Sequence, residues 1–176
     1  MTHRKTLKAV CALAVLLLLA VPALAERGDD TNRKSKNGAV SGTIDGVSVA
    51  VSYGRPQVKG REIFGALVPF GKLWRTGADE ATTVTFGGDA KVEGQAIPAG
   101  TYSLFTIPGA DSWTLIFNKK AEQWGGYDYA ESEDALRVEV KPGKGDAVET
   151  MEFVIEDGAV VLRWDTTAVS FGVAAG

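Results

Sequence analysis

The side chains best suited to chemistry lie in residues 53–81, where the alternating β-pattern stops and five cations stand among five glycines. The cations are Arg55, Lys59, Arg61, Lys72 and Arg75. Cationic side chains on a backbone that turns often can form the mouth of an anion-binding or sugar-binding site. Alternatively, Arg55 and Arg75 pair with Asp79, Glu80 or another carboxylate and hold the loop against the domain. The paired arrangement is slightly favoured, because buried arginines usually have partners inside the protein.

A second group of candidate residues lies in residues 123–134, where aromatic side chains flank Gly125-Gly126. Aromatic faces beside a glycine turn suit flat polar ligands, although the same residues could simply cap the domain. If the two stretches meet, they predict a binding module. Arg55, Arg61 and Arg75 would contact an anionic or polyhydroxylated small molecule or glycan, and Trp74, Trp124 and Tyr127 would supply stacking faces.

Carboxylates provide the alternative, a hydrolase or lyase acting on carbohydrate. The acid and base candidates are Asp79, Glu80 and Asp128. Adjacent side chains of an extended chain point to opposite sides, so only one of Asp79 and Glu80 could serve. A binding module without catalysis is therefore favoured over an enzyme, and an envelope structural or protein-interaction domain is the third reading. The acidic run around Asp128 lacks the spacing of a calcium loop, so no metal site is predicted.

The first 25 residues read as a cleaved signal peptide. A basic segment with Arg4, Lys5 and Lys8 precedes an apolar run at residues 9–20, and Ala-Leu-Ala at 23–25 forms a cleavage site. The apolar run is short for a membrane span, so no stable membrane insertion is expected after cleavage. This pattern predicts export to the periplasm or the extracellular space.

Removal of this segment takes away the only histidine, His3, and the only cysteine, Cys11. The remaining chain has no imidazole or thiolate, which excludes Ser-His-Asp and Cys-His catalysis and zinc or haem sites built on those ligands. No cofactor is therefore expected. The loss of three basic and no acidic residues moves the net charge from −3 to −6, which argues against nucleic-acid binding.

The elements that must position these residues are predicted to be β-strands. Residues 26–37 are polar and without apolar periodicity, as in a flexible leader. Beyond them, about ten short runs of β-forming residues are separated by turn residues, with Asp45-Gly46 as a hairpin signal. One domain, residues 38–176, is expected: an all-β, antiparallel, jelly-roll-like sandwich with one long loop. A short helix is expected in that loop before Pro69, from the spacing of Ile63, Phe64, Leu67 and Val68.

A series of ordered motifs also resembles a known family. The motifs are YGRP, KGR-x-IFG, LVPFGK-x-WRTGA-x-EAT, IPAGTYSLFTIP, WTLIFNK and QWG-x-YDY, and they extend over most of residues 40–173. They are similar to a widespread bacterial family of secreted proteins catalogued as a domain of unknown function. The resemblance implies an exported single β-domain without an agreed activity or cofactor, and it assigns no catalytic residue.

Overall fold

The computed structural model describes residues 25–176, which form two antiparallel β-sheets. The predicted signal peptide therefore lies almost entirely outside the described residues. The strands are β1 Lys36–Ile44, β2 Val47–Arg55, β3 Thr82–Phe86, β4 Ala90–Val92, β5 Gln95–Ile97, β6 Gly100–Ile107, β7 Trp113–Asn118, β8 Asp134–Val140, β9 Gly143–Glu156 and β10 Ala159–Ala175. One sheet has the order β1-β2-β3-β6-β7-β8, and the other has the order β5-β4-β10-β9. The predicted all-β sandwich is confirmed.

Tight turns join neighbouring strands where the chain carries an acidic residue followed by glycine. Asp45 and Gly46, between β1 and β2, have φ values of 46° and 79°. These positive values match the type I′ hairpin that the sequence predicts there. Asp157 and Gly158 make a similar turn, with φ values of 49° and 77°, between β9 and β10.

Strand β10 is longer than the sequence pattern predicts. Residues 159–164 and 168–173 read as separate runs, but both belong to β10, because the chain passes from one to the other through an irregularity at Asp165. Asp165 has a φ of 52°, which shifts the register without ending the pairing with β9. The tenth strand is instead β5, a short edge strand that the pattern did not reveal.

The core lies between the two sheets and is built from alternate residues of their strands. Val84 and Phe86 of β3 and Leu162 and Trp164 of β10 are all buried in it. Phe105 points to the opposite side of β6, where it packs with Ala81 and Ile116 in a smaller cluster. Tyr129 covers this second cluster, with its ring 5.1 Å from that of Phe105. Tyr129 therefore covers part of the outer face of the six-stranded sheet, and a capping role for the other aromatic residues of its loop stays a prediction.

The long loop, residues 56–81, contains no helix, and the predicted short helix before Pro69 is wrong. Val68 N donates to Ile63 O at 2.9 Å, and Gly65 N donates to Val68 O at 2.9 Å, which closes a tight non-helical turn. Gly65 has a φ of 97°, which interrupts the helical backbone that the apolar spacing suggested. Ile63 and Val68 still enter the core as expected, whereas Leu67 is exposed.

Candidate functional site

A cleft of about 640 Å³ opens between the long loop and the N-terminal segment. Four cationic side chains line it, and its lining contains no aspartate or glutamate. The cations are Lys34, Lys59, Arg61 and Arg75. A concentration of positive charge in a concave site attracts anions, and here the cations are gathered in one cleft of a domain that is acidic as a whole.

The backbone around Trp74 determines where Arg75 lies. Trp74 exchanges two hydrogen bonds with Thr106 at the end of β6, with N–O distances of 2.8 and 2.9 Å. Thr76 follows with a φ of 56°, and its carbonyl accepts a hydrogen bond from the Thr82 hydroxyl at 2.7 Å. These contacts attach the loop on both sides of Arg75, so its position is set by the sheet.

The apolar wall of the cleft is an aromatic cluster. Trp74 stacks against Trp164 of β10 with ring centroids 5.9 Å apart and an interplanar angle of 20°. Phe64 packs edge-on against Trp74, Trp113 and Trp164, with centroid distances of 5.8, 4.8 and 5.9 Å. Because Trp113 and Trp164 belong to strands of the two different sheets, this wall is part of the sandwich core and is expected to be rigid.

Two N–H donors among the cleft residues are buried and have no hydrogen-bond partner within residues 25–176. They are Nε of Arg75 and Nε1 of Trp164, and Trp164 is only 1% exposed. Buried polar groups are normally satisfied, and leaving one unpaired costs about 1–3 kcal/mol. Each such donor therefore needs an explanation, and a bound water, ion or ligand can supply the missing acceptor.

The predicted ion pairs of Arg55 and Arg75 are not formed within residues 25–176. Arg55 Nε instead donates to Met151 O at 3.3 Å, and its aliphatic carbons lie against Gly38. Arg55 does not line the cleft. Arg61 does line it, and its Nε donates to Val58 O at 3.0 Å. Arg55 and Arg61 are six residues apart and have different surroundings. Only Arg61 joins Arg75 in the cleft.

Glu80 binds arginines that the sequence did not suggest as its partners. Arg33 makes a bidentate ion pair with its carboxylate, and Arg27 Nη2 lies 3.1 Å from Oε2. The Arg27 side chain is 5% exposed and also donates to Ala78 O at 2.9 Å and Ala81 O at 3.2 Å. We call Arg27, Arg33 and Glu80 the N-terminal clamp. It fastens the segment that carries Lys34 to the loop that carries Arg75.

The clamp changes the ionisation of its members. Burial by itself would raise the pKa of Glu80, but hydrogen bonds from Arg33 and the Gly28 amide and the charge of Arg27 lower the pKa to about 2. Burial lowers the pKa of the Arg27 guanidinium, and the charge of Glu80 opposes this effect. Glu80 is therefore ionised at neutral pH. This state suits an ion-pair partner, whereas a general acid must carry a proton.

The remaining predicted residues lie outside the cleft. The two candidate loops do meet, because Gly125 N donates to Asp79 O at 3.0 Å, but neither Trp124 nor Tyr127 lines the cleft. The Arg33 guanidinium lies 5.4 Å above the Trp124 ring, and Tyr127 is 88% exposed. Asp128 is exposed and forms a long ion pair of 3.8 Å with Lys120. Roles for these residues in ligand binding or catalysis stay predictions.

Sequence reasoning missed three contributors to the cleft region. Lys34 and Ser35 line the cleft although they belong to the predicted flexible leader, where no periodicity marked them. Trp164 reads as an ordinary core residue of a strand, which it also is. Its unpaired indole N–H depends on the three-dimensional packing, and no local pattern could have indicated it.

A family model described as a protein of unknown function, DUF2911, matches residues 35–173. The chain belongs to this family. The match confirms the resemblance inferred from the sequence motifs, and it extends from the first residues of β1 almost to the end of β10. No curated protein and no solved structure is detectably similar to the chain. Membership of the family therefore supports a single domain type but assigns no activity to the cleft.

In residues 25–176, no helix has the length and apolar character needed to cross a membrane.

Proposed function

We propose that the protein is a binding module that holds a small anionic ligand in the cleft between Lys34 and Arg75. The observation that carries this proposal is the pair of buried, unpartnered donors, Arg75 Nε and Trp164 Nε1, among the residues of one cationic cleft. Carboxylate, phosphate and sulfate groups carry acceptor oxygens, which are the kind of partner that these two donors lack.

The charge of the lining supports an anion over a neutral glycan. A neutral sugar presents as many hydroxyl donors as acceptors, and it would need protein acceptors beside its donors. The cleft has four cations and no carboxylate in its lining, so acceptor-rich ligands match it better. A uronic acid or another acidic sugar belongs to this class, and its ring could pack on Trp74, which is half-buried and lines the cleft.

The positions of the candidate carboxylates favour binding without catalysis. A sugar-cleaving enzyme needs two carboxyl groups across an open cleft, one of them with a raised pKa. Glu80 has a lowered pKa and two arginine partners, and neither Asp79 nor Asp128 lines the cleft. The lining of the cleft thus offers no carboxyl group to act as a general acid.

Isothermal titration of residues 26–176 with phosphate, sulfate, acetate, succinate, glucuronate and neutral glucose tests the proposal. We expect saturable binding by one class of anion and none by glucose. Arg75→Gln should remove this binding, and Arg55→Gln, which alters an arginine outside the cleft, should keep it. Absence of binding across the panel would refute the proposal and favour a structural or protein-interaction role.

We also propose that the protein acts in the periplasm or outside the cell after cleavage behind Ala25. The basic, apolar and small-residue segments of residues 1–25 support this. N-terminal sequencing of protein recovered from periplasmic and culture fractions should give Glu26 as the first residue. Recovery of uncleaved chain from the cytoplasm would contradict it.

A further inference from the structure

Three large apolar side chains project from the long loop into solvent. Leu67 and Phe70 are each 45% exposed and Leu73 is 36% exposed. Turns at Gly65 and Gly71, with φ values of 97° and 70°, bracket the first two of these side chains. Large apolar side chains clustered on one exposed loop are unusual on a monomeric domain and indicate a surface that makes contact with something else.

The cations of the loop flank these apolar residues in the sequence. Residues 56–75 contain Lys59, Arg61, Lys72 and Arg75 but a single carboxylate, Glu62. Leu67 lines the same cleft as Arg61 and Arg75, so apolar and cationic groups lie on one side of the molecule. The loop is thus locally cationic in a chain that is acidic as a whole.

We propose that this surface, which we call the docking loop and define as residues 59–75, binds reversibly to the surface of a bilayer containing anionic lipids. Leu67, Phe70 and Leu73 would enter the boundary between headgroups and acyl chains, and the basic residues would remain at the level of the phosphates. Apolar insertion combined with electrostatic attraction is how interfacial segments bind membranes without crossing them. The docking loop does not depend on occupation of the cleft by a soluble anion.

Charge complementarity favours a bilayer over a second copy of this chain. Two docking loops facing each other would bring eight cations together and only two carboxylates, and like charges oppose such a contact. An anionic lipid surface presents the opposite charge over an area that matches the whole loop.

The neighbouring exposed aromatic loop provides a natural contrast. Tyr127 is even more exposed, but it lies beside Asp128, Glu131 and Glu133. An anionic bilayer would repel this acidic segment. Substitution of Tyr127 is therefore a matched control, since it removes an exposed aromatic side chain from this acidic segment, which approaches the docking loop where Gly126 lies close to Leu73.

Vesicle flotation tests the docking loop. Residues 26–176 are mixed with vesicles of phosphatidylcholine alone or of phosphatidylcholine and phosphatidylglycerol in equal parts. We expect binding to the second kind only, weakened by added salt. The double variant Leu67→Ser/Phe70→Ser should lower the partition coefficient about tenfold or more, because two apolar insertions are lost. Lys72→Gln, which removes one charge outside the cleft lining, should lower it about fivefold.

Tyr127→Ser should bind these vesicles as the unaltered protein does, and unchanged thermal melting of each variant shows that the fold is retained. Equal binding to both kinds of vesicle, no binding to either, or full binding by the double variant would overturn the proposal. Self-association that the double variant abolishes, measured by sedimentation velocity, would also overturn it and assign the surface to a second copy. The cleft function is tested separately, by titration of the unaltered protein and Arg75→Gln with soluble anions. Failure of vesicle binding would therefore leave the proposed cleft function unaffected.

Discussion

The carboxylate of Glu80 receives a hydrogen bond of 2.7 Å from Nη2 of Arg33, a residue that lies in the polar segment before β1. This ion pair, together with Arg27, joins the N-terminal segment to the long loop at the side of the cleft. The segment carries Lys34 into the cleft, so its attachment contributes to the composition of the candidate site. Whether residues 26–37 are flexible in solution stays a prediction, and the clamp gives a direct way to test it.

Glu80→Gln should lower the free energy of unfolding by about 2 kcal/mol, because it leaves the buried guanidinium of Arg27 without its counter-charge. Urea denaturation of the two proteins at neutral pH measures the difference. Glu122→Gln is the matched control, since Glu122 is exposed and forms no ion pair in residues 25–176. Equal stability of the Glu80 and Glu122 variants would show that the clamp contributes nothing.

The stabilisation by Glu80 should depend on pH. Its folded-state pKa of about 2 lies below the value of about 4.3 in an unfolded chain, so the unfolded state binds the proton more readily. The contribution is complete above about pH 4.5 and disappears as the pH falls toward 2. Urea denaturation across this pH window should show the difference in free energy of unfolding between the unaltered protein and Glu80→Gln becoming smaller as the pH falls. A constant difference between the two proteins would contradict the assignment.

Arg75 and Arg55 should respond in opposite ways to replacement by glutamine. The Arg75 guanidinium lies near the like charge of Arg27, and its Nε has no hydrogen-bond partner within residues 25–176. Because few contacts are lost, Arg75→Gln should leave the melting temperature nearly unchanged while anion binding is lost. Arg55→Gln removes the hydrogen bond to Met151 O and packing against Gly38, and should cost about 1 kcal/mol with binding retained. Differential scanning calorimetry and titration of both variants make the comparison. A large stability loss in Arg75→Gln would identify it as a structural residue.

Gly54→Ala should disrupt the approach of β2 to the long loop. A Cβ at this position would lie 2.2 Å from Ala78 O and 3.0 Å from Arg27 Nη2, distances that require the backbone to move. We expect a loss of about 3 kcal/mol and release of the N-terminal segment, detectable as faster proteolysis near Arg27. Gly88→Ala is the control, because nothing lies within 4 Å of the added methyl group and its φ is not in the left-handed region. Similar stability of the two variants would contradict this account.

Local patterns were sufficient to predict much of the sandwich. Asp45-Gly46 identified a hairpin from two residues, because few residues other than glycine, asparagine and aspartate adopt positive φ easily. The same reasoning failed at residues 63–68. The apolar spacing there fits a helix, but Gly65 and contacts with Trp74, Trp113 and Trp164 favour a tight turn instead.

The alternating strands, the tight hairpins and the membership of a family could all be predicted, since they depend on residues close together in the chain or on their order. Which cations share a cleft depends on how the chain packs in three dimensions. Arg55 and Arg75 look equivalent in the sequence, yet only Arg75 lines the cleft, and Lys34 joins it from a segment with no recognisable pattern. The contacts that place these cations join residues far apart in the chain. Arg55 binds Met151, 96 residues away, and the arginines near Lys34 bind Glu80, 47 or more residues away. Packing brings such distant residues together, and no local periodicity encodes that proximity.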